Sequence, residues 1–300
     1  MSAATPPTAP THETLAAHDG ASIDLLCWTP APGTAPRAVV QIAHGMGEHA
    51  GRYDRLAQAL VAAGYAVVAN QHRGHGPAAL AAGTLGDFGP GGFIDVVRDM
   101  VTVTAWAKER HPGVPLVLFG HSMGSFAAQL YALDHSAGLA ALALSGTTAT
   151  DLLLASRGTD RKLEDANKAT TSTGPTARTP FDWLSRDEAE VDKYIADPLC
   201  GFTMNKPSMV SIYASCARTA MPGAFWALRP TLPVYLFTGE RDPVNHNLDW
   251  FHPLVQRMRD AGLRDVTVKT YPGARHEVLN EVNRGEVTGE FIRWLHRSAP

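Results

Sequence analysis

Short apolar runs recur along the chain at residues 38–42, 66–69, 116–119, 139–144, 234–237 and 266–268. Most are unbroken and rich in Val and Leu, the pattern of strands covered on both faces in a parallel sheet. Residues 21–28 alternate more loosely and predict an early edge strand. Between the runs the period changes. Tyr53, Leu56, Ala57, Leu60 and Val61 recur at helical spacing, and Val287, Phe291, Trp294 and Leu295 keep the same stripe near the end. Strand and helix alternate, which predicts an α/β fold built on a doubly wound, mostly parallel sheet.

The alternation lapses between residues 151 and 230. This stretch holds a polar segment at 160–168, a Thr/Gly/Pro-rich turn region, and helical patterns with Met204, Met209, Ile212, Tyr213 and Phe225. It contains no convincing buried strand, and it is too long for an ordinary crossover. The expected organisation is therefore a core of residues 14–150 and 231–300, interrupted by a helical cap at 151–230. Met204, Met209, Ile212, Met221, Phe225 and Trp226 read either as helix packing or as contacts for an apolar ligand. Residues 1–13 are rich in Ala, Thr and Pro, lack the basic and apolar regions of a signal peptide, and read as a loose tail.

Composition narrows the partners. Hydrophobic residues make up 45% of the 300 and charged residues 18%, enough to bury a real core and unlike a disordered or coiled-coil chain. A net charge of −3 gives no basic excess for nucleic acid or anionic lipid. No apolar run reaches the ~18 residues of a spanning helix. Cys27, Cys200 and Cys216 include no C-x-x-C pair, so neither structural zinc nor a disulfide framework is expected. A cytoplasmic protein fits best.

The chemistry centres on Gly120-His121-Ser122-Met123-Gly124. In a chain this rich in glycine, G-x-S-x-G arises by chance about one time in ten, so context must carry it. Residues 116–119 predict a strand and 125–133 a helix, which places Ser122 on a sharp strand-to-helix turn with helix-end N–H groups nearby. A serine hydroxyl needs a base oriented by an acid, and in this architecture these follow later strands in the order acid, then His. Asp242 and Glu240 both follow the run at 234–237, and His276 follows 266–271. Two oxyanion donors are also required. The Met123 N–H is one; the Met46 N–H, in the glycine-flanked loop after residues 38–42, is the other. His72 and His75 form H-x-x-H, but with no further ligand to complete a metal site they read as residues that order their loop.

Several pieces together resemble the α/β-hydrolase serine hydrolases of the monoacylglycerol lipase and lysophospholipase group. They are His44-Gly45-Met46-Gly47-Glu48-His49 with Arg52-Tyr53, His72-Arg73-Gly74-His75-Gly76, the Ser122 pentapeptide, Ala196-Asp197-Pro198-Leu199, Asp242 and His276-Glu277. Pro77 and Ile195 depart from the usual pattern. The resemblance implies a Ser122–His276–Asp242 triad, oxyanion N–H groups from Met46 and Met123, and Glu48, Arg52 and Tyr194 near the polar head group. It implies a serine esterase or lipase acting on single-chain acyl esters, without metal or cofactor, whose cap permits transient contact with a membrane surface. An S33-like aminopeptidase, a short-chain carboxylesterase and a non-catalytic ligand-binding receptor are the alternatives on the same scaffold.

Overall fold

The computed structural model describes residues 9–31, 33–156 and 177–299. Its strands are β1 (Thr11–Ala16), β2 (Ser22–Trp28), β3 (Val39–Ala43), β4 (Ala66–Asn70), β5 (Leu116–His121), β6 (Ala141–Ser145), β7 (Val234–Gly239) and β8 (Val266–Tyr271). They form one sheet in the order β1-β2-β4-β3-β5-β6-β7-β8. The pairs from β4 to β8 are parallel, and β1 and β2 pair antiparallel at one edge. Every predicted apolar run overlaps a strand, with bounds that agree to within two residues at their starts. The outer strand β8 shows why its run was short: Val266-Thr-Val-Lys-Thr-Tyr271 is only half-buried until Tyr271, so it tolerates polar residues.

Nine helices are described: α1 (Asp54–Ala62), α2 (Gly76–Ala82), α3 (Phe93–Arg110), α4 (Met123–His135), α5 (Thr150–Ser156), α6 (Glu188–Ala196), α7 (Lys206–Ala220), α8 (Phe251–Asp260) and α9 (Arg284–Ser298). Alternate residues of each strand face opposite layers. Val117 and Phe119 turn toward α1 and α9, where Leu56, Leu60, Phe291 and Trp294 enclose them. Leu116 and Leu118 turn the other way, into a core shared with α3, α4, α7 and α8. Aromatic packing anchors the first layer, with Phe291 5.3 Å from Phe119 and Trp294 5.2 Å from Tyr235 between ring centres. Among the described residues no helix is long and apolar enough to cross a membrane.

Two expectations need correction. The strand at 21–28 is β2 but not the edge, because Thr11–Ala16 adds β1 outside it, from Thr11 opposite Cys27 to Ala16 opposite Ser22. Residues 11–13 are therefore ladder rather than tail. Their polar sequence hid this, since β1 is held by backbone pairing and by the Arg110–Glu13 ion pair (2.8 Å) rather than by apolar burial.

The second correction concerns the stretch 151–230, which is not uniform. Helix α7 lies in the same layer as α3 and α4, with Ile212 and Cys216 buried among Val96, Met100 and Leu130. It is the crossover helix between β6 and β7, and Asn205 caps its start by accepting from the Ser208 N–H (2.8 Å). We therefore propose that the cap ends at Asn205 rather than at 230. The exposed Met221 (63%) and Trp226 (73%) follow α7. Trp226 precedes Ala227, whose carbonyl accepts from Ser136 at the far end of the 13-residue α4, about 20 Å of helix from Ser122. Met221 and Trp226 are surface residues, whereas Met204, Ile212 and Phe225 are core packing. The polar segment 160–168 lies outside the described residues.

These placements predict opposite responses. Ile212→Ala should lower the urea-unfolding free energy by about 2–5 kcal/mol, as a buried cavity does. Trp226→Ala should change it by less than about 0.5 kcal/mol.

Candidate active site

The chain passes from β5 to α4 through a single residue, Ser122, at φ 51° and ψ −123°. Such a conformation costs a non-glycine residue about 1–3 kcal/mol and persists only where its surroundings enforce it. Close backbone contacts do so here. A Cβ on Gly124 would overlap the carbonyls of Ala43 and His44, and one on Gly120 would lie 2.5 Å from the Gly124 oxygen. The Ser122 N–H is fixed to the Ser145 carbonyl (2.9 Å), and its side chain is half-exposed between two buried neighbours. The Ser122 hydroxyl makes no hydrogen bond among the described residues. The Met123 N–H stands at the start of α4, where no intrahelical acceptor exists. Gly45 backs onto Ser122, since a Cβ there would lie 3.1 Å from the serine Cβ. Met46 follows in that loop, half-buried, and no hydrogen bond among the described residues engages its N–H.

His276, on the loop after β8, points Nδ1 at both oxygens of Asp242, 2.9 Å from each. Both side chains are buried. Asp242 also accepts from the Val244 N–H (2.8 Å), Thr238 Oγ1 (3.0 Å) and Asn245 Nδ2 (3.3 Å). Burial alone would push this carboxyl up, but His276, the Val244 N–H and Thr238 outweigh it and hold it below the usual carboxylate range. An ionised Asp242 places the imidazole proton on Nδ1 and leaves the Nε2 lone pair free. Glu240, the other acid left open by the sequence, instead accepts from Thr270 Oγ1 (3.3 Å). The His276 ring packs against those of His121 (4.8 Å between centres) and Trp183 (5.1 Å). Gly146, at φ 55°, makes room for it: a Cβ would come within 2.8 Å of His276 Cε1. Sequence reasoning missed all three neighbours. His121 and Gly146 were visible as positions next to the nucleophile and after β6, whereas nothing in the sequence distinguished Trp183.

Glu48, Arg52 and Tyr194 come together, but turned toward one another. Arg52 donates from both terminal nitrogens to Glu277 (2.6 and 2.7 Å) and from one of them to Glu48 (2.7 Å). Its guanidinium lies 4.8 Å over the Tyr194 ring, and the Tyr194 hydroxyl donates to the Gly47 carbonyl (2.7 Å). Burial opposes the charge on both carboxylates, yet Arg52 beside them holds each below its usual range. A small cavity of about 20 Å³ abuts the cluster, lined in part by His121.

Two groups of ligand-type side chains lie outside the triad. His49, Asp197 and Cys200 bring donor atoms within 4.8 Å. His49 Nδ1 accepts from the Gly51 N–H (3.2 Å), which puts the ring proton on Nε2 facing Asp197 (2.8 Å), the wrong tautomer for coordination there. His18, Asp19 and Asp95 form the other group, but Arg73 and Arg98 already pair with its carboxylates. His72 and His75 pack against His44, with ring centres 4.2 and 5.1 Å from it. They prop the loop after β3: the His72 N–H donates to His44 Nε2 (3.0 Å), and the Gly47 N–H donates to His75 Nε2 (3.3 Å).

Residues 34–283 match the profile of the Hydrolase_4 family, described as serine aminopeptidase, S33. The chain is 32% identical to a monoacylglycerol lipase of Mycolicibacterium smegmatis, over 89% of this chain and 90% of that protein. It is 30% identical to human monoglyceride lipase, over 93% and 86%. Among solved structures, a thermostable carboxyl esterase from Bacillus coagulans, in complex with glycerol, superposes with a TM-score of 0.84 at 28% identity, covering 98% of this chain and all of that one.

The histidines set an acid limit. Burial drives His44 and His72 well below the ordinary 6.5, and brings His75 and His121 down to about 4. Above pH 6.5 these groups are neutral folded and unfolded alike. Between 6.5 and about 4 the unfolded chain takes up protons that the folded one refuses, so stability falls as pH falls. Urea unfolding should show the loss across that window, up to about 1.4 kcal/mol per pH unit for each histidine, and a flat profile would contradict it.

Proposed function

We propose that this chain, which belongs to the serine aminopeptidase S33 family of α/β-hydrolases and is a carboxylic ester hydrolase, cleaves single-chain acyl esters of the monoacylglycerol type through an acyl-enzyme on Ser122. The observation that carries this reading is the buried His276–Asp242 pair lying on the same sheet edge as a strained, half-exposed serine. The similarity to monoacylglycerol lipases over most of the chain supports the substrate class.

In this mechanism His276 Nε2 takes the Ser122 proton as the oxygen attacks the ester carbonyl. Asp242 stabilises the imidazolium without itself being protonated. Negative charge develops on the carbonyl oxygen, where the Met46 and Met123 N–H groups are the proposed donors. His276 then protonates the departing alcohol, and water attacks the acyl-enzyme by the same route in reverse. The Ser122 hydroxyl has to rotate toward His276 when substrate binds, which is common for a free enzyme.

The aminopeptidase alternative has less support. Recognition of a free amino terminus calls for an unpaired carboxylate near the serine. The buried carboxylates Glu48 and Glu277 are both hydrogen-bonded to Arg52, and the cavity of about 20 Å³ on their His121 side has no room for an aminoacyl group.

Ser122→Ala should abolish ester turnover by several orders of magnitude while the thermal midpoint stays or rises. Asp242→Asn should lower kcat by roughly 10⁴, and Glu240→Gln by less than about tenfold. Reversal of the last two would make Glu240 the acid. On a substrate panel, 1-monoacylglycerols should be cleaved and aminoacyl anilides left intact; the opposite preference would restore the peptidase reading.

A further inference from the structure

We propose that Glu277 is a positioning residue for this hydrolysis: through Arg52 and Glu48 it fixes the oxyanion loop, residues 44–49, against the loop that carries the base. The inference rests on Ser122 and His276 acting as nucleophile and base.

The connection can be traced atom by atom. Glu277 follows His276 directly in the chain, and its two oxygens take both terminal nitrogens of Arg52. The same Arg52 Nη1 donates to Glu48 Oε2 (2.7 Å). The other oxygen, Glu48 Oε1, accepts the Gly45 N–H and the Tyr53 hydroxyl (2.8 Å). Gly45 is the residue that backs onto Ser122 and precedes Met46. An unbroken line of charge-assisted hydrogen bonds thus runs from the residue beside the base to the residue beside the proposed oxyanion donor. Such bonds are short and directional, which suits them to holding a loop in one geometry.

Stability alone does not account for the cluster. Its side chains are nearly sealed, at 4% exposure for Glu48, 6% for Glu277 and 12% for Arg52. Two carboxylates share one guanidinium, leaving one negative charge uncompensated in the interior. Buried ion clusters of this kind are often no more stabilising than apolar side chains of equal volume. Direct binding of a head group is also a poor fit. The cavity on the His121 side of the cluster, about 20 Å³, has room for a single water and not for a glycerol. The larger one that touches Arg52 and Tyr194, about 330 Å³, is lined by none of Ser122, Asp242 and His276. What the arrangement does supply is a fixed distance between two loops that must act on the same carbonyl group, where small displacements are costly.

The test is Glu277→Gln, which keeps the shape and removes the charge. Expected is a loss in kcat of about 10- to 100-fold with KM within about twofold, equal for p-nitrophenyl acetate and for a monoacylglycerol. A trifluoromethyl ketone, whose adduct places an oxyanion in the site, should bind more weakly by the same factor. Glu48→Gln should behave alike, and the double variant should lose no more than the worse single one, because one break already severs the line. If Glu277→Gln fails to fold, Arg52→Lys takes its place: the ammonium keeps the charge but cannot span both carboxylates in this geometry, and the same loss confined to kcat is expected. A KM increase restricted to glycerol esters would overturn the proposal in favour of a head-group site. Unchanged kcat in a folded variant, or fully additive losses in the double variant, would also overturn it. A wild-type protein inert toward every ester would refute the underlying reading of the triad instead.

Discussion

The contact on which the rest of the site depends is the passage of α4 over the end of β3, backbone against backbone. It is possible because position 124 has no side chain to collide with the carbonyls of Ala43 and His44. The parallel register, from Val39 beside Leu116 to Ala43 beside Gly120, brings the ends of β3 and β5 together. The two loops leaving them must then lie side by side, and one carries Met46 while the other carries Ser122. Strands β6, β7 and β8 end at the same edge and deliver Gly146, Asp242 and His276 there. A crevice at the carboxyl ends of parallel strands is where such folds place their ligands.

The interior changes character around that edge. The layer under α1 and α9 is held by aromatic and aliphatic packing, whereas the region behind Ser122 is filled by imidazoles, carboxylates and a guanidinium. Two contacts there also select a tautomer: His75 accepts from Gly47, and His276 donates to Asp242. Neutral His75 and ionised Asp242 are the states these bonds require. A polar interior of this kind specifies one arrangement, because a displaced member leaves a buried group unpaired.

Much of this was legible in the sequence. The strands buried on both faces announced themselves as apolar runs, and the order of Ser122, Asp242 and His276 followed from which runs they trail. Strand β1 was not legible, because backbone pairing rather than side-chain burial holds it. Helix α7 was read as cap because an apolar stripe at helical spacing says that a face is buried, not against what. Arg52 was expected near a head group, and its partner Glu277, 225 positions away, was not visible in the local sequence. Between Asp242 and Glu240 the local pattern left the choice open and only the resemblance favoured Asp242, whose carboxylate the Val244 N–H and Thr238 draw inward.

The ends of the segment between α5 and α7 are pinned to the core. Thr150 bonds to Thr219 (2.6 Å), and Ser208 and Ser211 accept the N–H groups of Phe88 and Phe93. A loop whose ends are already held in place pays only about 0.6 kcal/mol of closure entropy each time its length doubles. Length between those anchors can therefore change at little cost in closure entropy, but not every position is free: Trp183 packs against His276, and the Tyr194 hydroxyl holds the Gly47 carbonyl. A lineage that rewrites this segment must keep the few positions that touch the base and the loop after β3.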